Sequence, residues 1–264
     1  MEPDFQQNAS FYDELAAQYD SRLASNPRDA LARRAFQELA MRYVPSGSTL
    51  LDLGCGTGLD ALEYARHGYR VLAYDNSPGM VAQLQRRCGA EITSGRVTPY
   101  SMPYPSFLDS LAFWPKPDAV TANFAVLNSI RDLRPLFERV GGHMAPSGCF
   151  VVSILNPLHW SMVKTRNWWR GALQAPRGPR SHTTHPYVSY LHFVSEILRA
   201  ARGFRLVGRA HAGQAARYHA IAPVGAESLY WPGPAPQSMK SRLWRSPLYR
   251  LFGHFLFLVL RRDP

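Results

Sequence analysis

Residues 48–58, Ser48-Thr49-Leu50-Leu51-Asp52-Leu53-Gly54-Cys55-Gly56-Thr57-Gly58, constrain this chain more than any other stretch. An apolar run of β type carries one acidic residue and passes at once into a loop with glycine at every second position. The helix-forming stretch Asp60-Ala61-Leu62-Glu63-Tyr64-Ala65-Arg66 follows directly. Strand, glycine loop and helix in that order open a βαβ unit of nucleotide-binding type. Glycine there lets the backbone turn sharply and approach a ligand where a Cβ would collide.

The spacing selects the ligand. Dinucleotide loops read G-x-G-x-x-G, whereas Gly54, Gly56 and Gly58 give G-x-G-x-G with Asp52 just ahead of them. A pyrophosphate wants bare N–H groups and a helix dipole, not a neighbouring carboxylate. No G-x-x-x-x-G-K-[ST] run occurs, which excludes a P-loop. Asp75 closes the next apolar run, where a carboxylate can accept both hydroxyls of a ribose. The implied ligand has a ribose and a cationic end but no phosphate. S-adenosylmethionine fits that description.

Along the chain, residues 10–43 read as two helices broken at Asn26-Pro27, with Ser10 as a cap and Asp13 and Glu14 near the first helix's positive end. Strands are expected at 48–53, 70–74, 91–93, 119–123, 149–154, 204–208 and 254–261. Helices are expected from the glycine loop to His67, from Ser77-Pro78 to before Gly89, from Leu133 to Met144 and from Val188 to Arg202. The proline-rich run from Pro99 to Pro117 reads as loop with one short helix near 106–111. Alternating strands and helices argue a mainly parallel sheet covered on both faces, with inserted elements forming a lid.

Cysteines 55, 88 and 149 lie far apart without a C-x-x-C pair, so neither a disulfide framework nor a zinc site is suggested, and a cytoplasmic setting is expected. The N-terminus has no signal-peptide pattern, and the longest apolar run, Phe255 to Leu260, is too short to span a membrane. The net charge of +11 is uneven. Residues 1–156 hold 14 Lys+Arg against 16 Asp+Glu, whereas residues 157–264 hold 16 against 3. Such a C-terminal third suits either a solvated face or an anionic partner.

Several motifs together carry a family resemblance. Asp52-Leu53-Gly54-Cys55-Gly56-Thr57-Gly58 resembles the glycine motif of class I S-adenosylmethionine-dependent methyltransferases, and Tyr74-Asp75-Asn76-Ser77-Pro78-Gly79-Met80 resembles their second motif. Tyr12-Asp13…Tyr19-Asp20 is similar to the lead-in of the small-molecule branch, and Ala145-Pro146-Ser147-Gly148 to the turn before the fifth strand. The resemblance implies an α/β, Rossmann-like fold: a seven-stranded, mostly parallel sheet with an antiparallel last strand, helices on both faces and lid insertions. It implies a helical lead-in over 1–44, a cofactor-binding core over 45–156, and a basic, tryptophan-containing lid region with the last strands over 157–264. S-adenosyl-L-methionine would be the co-substrate, S-adenosyl-L-homocysteine the product, and no metal is expected. Cofactor contacts are implied for Tyr19, Asp52, Gly54, Gly56, Gly58, Asp75, Asn76, Met80 and Asn123. The family's acidic residue after the third strand is missing from Ser94-Gly95-Arg96-Val97-Thr98. Arg96 cannot accept a hydrogen bond, so the backbone of Val97 or Thr98 is the expected adenine contact.

Methyl transfer from a sulfonium needs alignment and exclusion of water more than a catalytic triad. Asn123-Phe124-Ala125-Val126 lacks the [DNS]-P-P-[YF] run of amino-methylating nucleic-acid and protein enzymes. The run Asn123 to Ile130 instead resembles a bacterial branch acting on small molecules. Substrate contacts are expected from Tyr12, Asn128, Trp160 and Tyr187, with Trp168 and Trp169 as further walls of an apolar or aromatic acceptor site. His159 and His185 are the proton-accepting candidates; His182 and His185 make two metal ligands without a third. The basic, aromatic stretch from Lys240 to Phe252 could rest on a membrane surface. An RNA substrate held by the basic third is the alternative reading.

Overall fold

In Leu50-Leu51-Asp52-Leu53 every side chain is out of water, a pattern that only a strand covered on both faces can sustain. The computed structural model describes residues 3–24, 27–159, 180–184, 187–212, 218–221 and 254–263. Its helices are α1 (Pro3–Leu15), α2 (Tyr19–Ala24), α3 (Pro27–Tyr43), α4 (Leu59–Arg66), α5 (Pro78–Arg87), α6 (Gly89–Thr93), α7 (Tyr104–Ser110), α8 (Arg134–His143) and α9 (Val194–Ala200). Its strands are β1 (Thr49–Leu53), β2 (Arg70–Asp75), β3 (Val97–Ser101), β4 (Ala119–Ala122), β5 (Cys149–Leu155), β6 (Arg180–Thr184), β7 (Tyr187–Leu191), β8 (Phe204–Ala212), β9 (Tyr218–Ile221) and β10 (Phe255–Arg262).

The main sheet has the order β3-β2-β1-β4-β5-β10-β8-β9. Strands β1 to β5 are parallel, and β10 runs antiparallel between β5 and β8. Seven of these strands make the expected sheet; β9 adds an eighth at its edge, antiparallel to β8. Successive residues feed opposite faces. Leu50, Phe257 and Val259 pack with Phe36 and Ala40 of α3, Tyr64 of α4 and Leu84 of α5. Leu51, Leu256 and Leu258 pack with Phe107 of α7, Phe137 of α8 and Ile197 of α9. The helices therefore cover both faces, and the C-terminal ends of β1, β2 and β4 open on one side, where ligands of such sheets bind.

Three expected elements differ. Glu91-Ile92-Thr93 lies in α6, and the third strand starts at Val97 and runs through Pro99 to Ser101. Proline is tolerated because β3 is the sheet's edge. The Val71 amide donates to the Arg96 carbonyl, so alternate residues 96, 98 and 100 face β2 while Pro99 points its missing donor outward. Residues 188–191, expected to begin a helix, belong to β7, which pairs with β6 as a separate two-stranded sheet; the helix is confined to α9. Ser10 lies inside α1 instead of capping it, and its hydroxyl donates back to the Gln6 carbonyl.

Two buried carboxamides hold the other edge of β7. Asn8 of α1 donates to the Val188 carbonyl and accepts from the Val188 amide, both at 2.9 Å. Asn128 donates to the Tyr190 carbonyl at 2.6 Å and accepts from the Leu155 amide at 2.9 Å. Truncating Asn128 to alanine removes its bonds to the Tyr190 carbonyl and the Leu155 amide. The expected cost is about 2 kcal/mol or more, read as a lower urea midpoint at unchanged slope.

Candidate active site

The glycine loop leaves β1 with left-handed residues at Gly54 (φ 69°) and Gly56 (φ 53°). The two serve different ends. A Cβ on Gly54 would lie 2.4 Å from a Val126 methyl, so Gly54 permits the loop to pack against the segment after β4. A Cβ on Gly56 would meet nothing within 4 Å, so this glycine borders open space. Gly58 precedes α4 and packs on Leu84, away from that space.

Asp75, at the end of β2, faces the same space. Its Oδ2 accepts the Gly56 amide at 2.9 Å and its Oδ1 the Ser77 amide at 3.0 Å, with the Asn76 amide as a further donor to the carboxylate. Burial pushes its carboxyl up to about 6, against the pull of the Ser77 and Gly56 amides. Asp52 is buried two residues before the loop. Its Oδ1 accepts from the Thr121 hydroxyl at 3.0 Å, while Oδ2 has no hydrogen-bond partner. Burial first, then the Asp60 carboxylate, raises Asp52 well above the usual carboxylate range.

The N-terminal helices are laced onto this loop by their aspartates. Asp13 accepts from the Gly79 amide at 2.8 Å and from the Ser77 hydroxyl, at the positive end of α5. Asp20 accepts from the Thr57 hydroxyl at 2.7 Å and pairs with Arg87, whose Nε donates to the Thr57 carbonyl. The lacing brings Tyr12 and Tyr19 over the loop, and both line the pocket. Their rings are 6.3 Å apart, and Tyr12 is 5.7 Å from Tyr187 of β7.

A buried polar network closes the far end. Asp60 accepts from Arg33 at 2.6 Å, Gln37 at 2.7 Å and Asn123 at 3.0 Å. The Arg33 guanidinium sits 4.5 Å over the Phe124 ring, a cation–π contact. Phe124 and Ala125 are left-handed non-glycine residues (φ 49° and 63°), a strained turn of the kind that clusters at ligand sites. The Phe124 amide donates to the Asn123 side chain at 2.8 Å, which helps to hold that turn.

Of the expected residues, Tyr12, Tyr19, Gly54, Gly56, Asp75, Asn76, Met80, Asn123 and Tyr187 line one pocket. Asp52 and Gly58 stand behind its wall. Val97 does not reach it: the sheet register pairs Val97 with Val71 and Ser101 with Asp75, so Val97 is buried at the strand end away from the site. Neither Val97 nor Thr98, the expected adenine contacts, lines the pocket, because the third strand begins at Val97 and not at Glu91. Asn128 is fully engaged in bracing β7 and does not line the pocket. His159 is buried beside His254, outside the lining, and burial pushes it down to about 4. Trp160, Trp168, Trp169, His185 and the stretch 240–252 lie outside the described residues, as does the side chain of His182. Among the described residues, no group of three or more His, Cys, Asp or Glu could hold a metal ion. Arg33, Asp60, Asn8, Phe5 and Phe124 also line the pocket and were not expected there.

The donor set suits the expected ligand. Asp75 offers its carboxylate oxygens to a diol at the pocket wall, and the Gly56 face leaves room beside it. A family model described as a methyltransferase domain matches residues 19–207, most of the chain. The chain belongs to the class I S-adenosylmethionine-dependent methyltransferases.

Among its relatives, this methyltransferase is 33% identical over 145 residues to demethylmenaquinone methyltransferase of Thermobifida fusca, covering 52% of this chain and 58% of that protein. It is 29% identical over 138 residues to ubiquinone biosynthesis O-methyltransferase of Xylella fastidiosa, covering 52% and 54%. The chain thus spans about half the length of these curated relatives. The fold matches that of Burkholderia thailandensis 1,6-didemethyltoxoflavin-N1-methyltransferase, solved with 1,6-didemethyltoxoflavin and S-adenosylhomocysteine. The TM-score is 0.58 at 16% identity, over 98% of this chain and 88% of that one.

Proposed function

We propose that this methyltransferase transfers a methyl group from S-adenosylmethionine to a small aromatic or otherwise apolar molecule. The observation that carries this reading is the aromatic cover over the glycine loop. Phe5, Tyr12, Tyr19, Phe124 and Tyr187 line the pocket that also holds Gly56 and Asp75. Bound there, the cofactor supplies an electrophilic methyl on a sulfonium. Asp75 would accept the ribose hydroxyls, and Asn76 and Met80 would flank the adenine. Arg33, already at the pocket wall, would meet the carboxylate. Asn123 would border the methionine end and Phe124 the acceptor. The named activities of the quinone-pathway relatives are consistent with an aromatic acceptor.

The chain's own task is alignment and dryness. The α1–β7 cover, pinned by Asn8, shields the reacting atoms, and no described side chain need act as a base for an acceptor that reaches the site ionised. The test incubates the protein with S-adenosylmethionine labelled in the methyl group and a panel of phenols and quinols, at low and high salt. Label in an organic-soluble product, insensitive to salt, is expected. Label appearing only in added RNA, and lost at modest salt, would replace the small-molecule acceptor by a nucleic acid. Among the described residues no helix is long and apolar enough to cross a membrane.

Cofactor affinity should depend on pH through Asp75. Its free carboxyl titrates near 6, and accepting hydroxyl donors stabilises the ionised form, so the bound value must lie lower. Affinity is then fully present above pH 7 and falls as pH drops through 6. A loss of about tenfold between pH 7 and pH 5 is expected in calorimetric titration with S-adenosylhomocysteine. Asp75→Asn removes the part of this dependence centred near 6; a dependence with the same midpoint in that variant would refute the assignment.

A further inference from the structure

The short helix α2 is seated differently from the elements ahead of it. Helix α1 is anchored along its length: Phe5 stacks on Tyr104 at 4.6 Å, Asn8 bonds both backbone groups of Val188, and Asp13 accepts the Gly79 amide at 2.8 Å. The 3-10 turn Ala16–Gln18 that follows is seated through Ala16, which is buried close against Gly79. Helix α2 itself buries no residue. Leu23 and Ala24 of α2, Arg34 and Glu38 of α3 and Glu63 of α4 instead line a cleft of about 680 Å³. Close-packed elements leave no such space between them, so α2 has room to shift.

The polar contacts that tie α2 to the glycine loop form a closed ring. Asp20 Oδ1 accepts the Thr57 hydroxyl at 2.7 Å, and the Thr57 carbonyl accepts Arg87 Nε at 2.9 Å. Arg87 Nη2 donates to Asp20 Oδ2 and completes the ring. Three elements meet there: α2, the glycine loop and the last turn of α5. The side chains of Arg87 and Asp20 are 25% and 40% exposed, so salt reaches this pair. Tyr19, next to Asp20, lines the pocket together with Thr57, Gly56 and Asp75. The cavity these residues enclose is about 90 Å³. Small-molecule sites take roughly 300–1,000 Å³, so part of the lining has to withdraw before a nucleoside-sized ligand can enter.

We propose that α2 is a flap over the cofactor pocket and that the Asp20–Thr57–Arg87 ring is its latch. With the ring open, α2 shifts on the anchored Ala16–Gln18 turn and carries Tyr19 with it. With the ring closed, Tyr19 is held at the pocket wall. Thr57 belongs to the glycine loop, so a cofactor bedded against Gly56 steadies the hydroxyl that Asp20 accepts. Cofactor entry and product release then both pass through latch opening, a step that limits turnover in many enzymes with lids. The proposal rests on the reading that S-adenosylmethionine binds beside Gly56 and Asp75. Asp20 and Arg87 act on exchange and not on the chemistry.

The test loads the full chain with tritiated S-adenosylhomocysteine and chases it with an excess of unlabelled ligand, at low salt and at about 0.5 M salt. Wild-type release should quicken several-fold at the higher salt. Asp20→Ala and Arg87→Met should each release the ligand about tenfold faster than wild type at low salt and lose most of the salt response. Both should also take the ligand up faster, which a merely weakened binding contact would not produce. The double variant should be no faster than the faster single one, because one latch can be opened only once. Either single variant exchanging at the wild-type rate overturns the latch, and so does faster release with unchanged uptake. Wild-type release that ignores salt overturns it without recourse to any variant. A wild-type protein that fails to bind S-adenosylhomocysteine overturns instead the cofactor reading on which the latch rests.

Discussion

Gly56→Val is expected to abolish cofactor binding while leaving most of the fold's stability intact. A valine Cβ at this position meets no protein atom within 4 Å, so nothing in the core has to move. The residue's φ of 53° sets the cost to the fold, about 1–2 kcal/mol for a side chain held in the left-handed region. The space the side chain fills is the one proposed for the cofactor, beside the Asp75 oxygen that accepts the Gly56 amide. Calorimetric titration with S-adenosylhomocysteine should show at least a hundredfold loss of affinity, with a melting temperature lowered by only a few degrees. An affinity within a few-fold of wild type would place the cofactor elsewhere.

Gly54→Ala should show the opposite balance. Its new methyl would lie 2.4 Å from Val126 Cγ2 and 2.8 Å from Cγ1, on a β-branched side chain with little freedom to withdraw. Overpacking of this kind costs about 1–3 kcal/mol. Val126 belongs to the 3-10 turn Val126–Ser129, directly after the strained Phe124-Ala125 turn, so the disturbance reaches the Phe124 wall of the pocket. Two glycines two residues apart thus separate ligand space from packing.

The readability of the site in sequence follows the range of its interactions. The Ser77 cap acts within three residues, the glycine loop and Asp75 meet 19 residues apart inside one βαβ unit, and each sits where its spacing places it. The two aspartates of the lead-in motif were legible as a motif but not as lacing, because Asp13 and Asp20 find partners 37 to 67 residues away. Asn8 and Val188 are 180 residues apart, and nothing local marks either. Proline hid β3, since a proline in a strand is harmless only at an edge and edges are a property of the whole sheet. One missed signal was available. Arg33 and Gln37 lie one turn apart among the apolar positions Ala32, Phe36 and Ala40 of α3, and a cation on a buried face has to have a partner.

That partner supports the second large prediction. Asp60→Ala is expected to destabilise the protein by about 3–5 kcal/mol, because it strands Arg33 as a largely buried charge and leaves the Gln37 and Asn123 amides without an acceptor. The side chains of Arg33 and Asp60 are only 15% and 7% exposed, so water cannot take Asp60's place cheaply. Removing the other end should cost less. Arg33→Ala leaves Asp60 with two amide donors at 2.7 and 3.0 Å, so a smaller loss, about 2 kcal/mol, is expected in urea unfolding. The order of the two variants is the informative result. If Arg33→Ala proves the more damaging, the network is held together by Arg33 packing on Phe124 and not by the carboxylate that collects its three donors. With the expected order, Asp60 is the hub that fixes Arg33 at one wall of the pocket and Asn123 at the next, so a fold-stabilising carboxylate also sets the shape of the site.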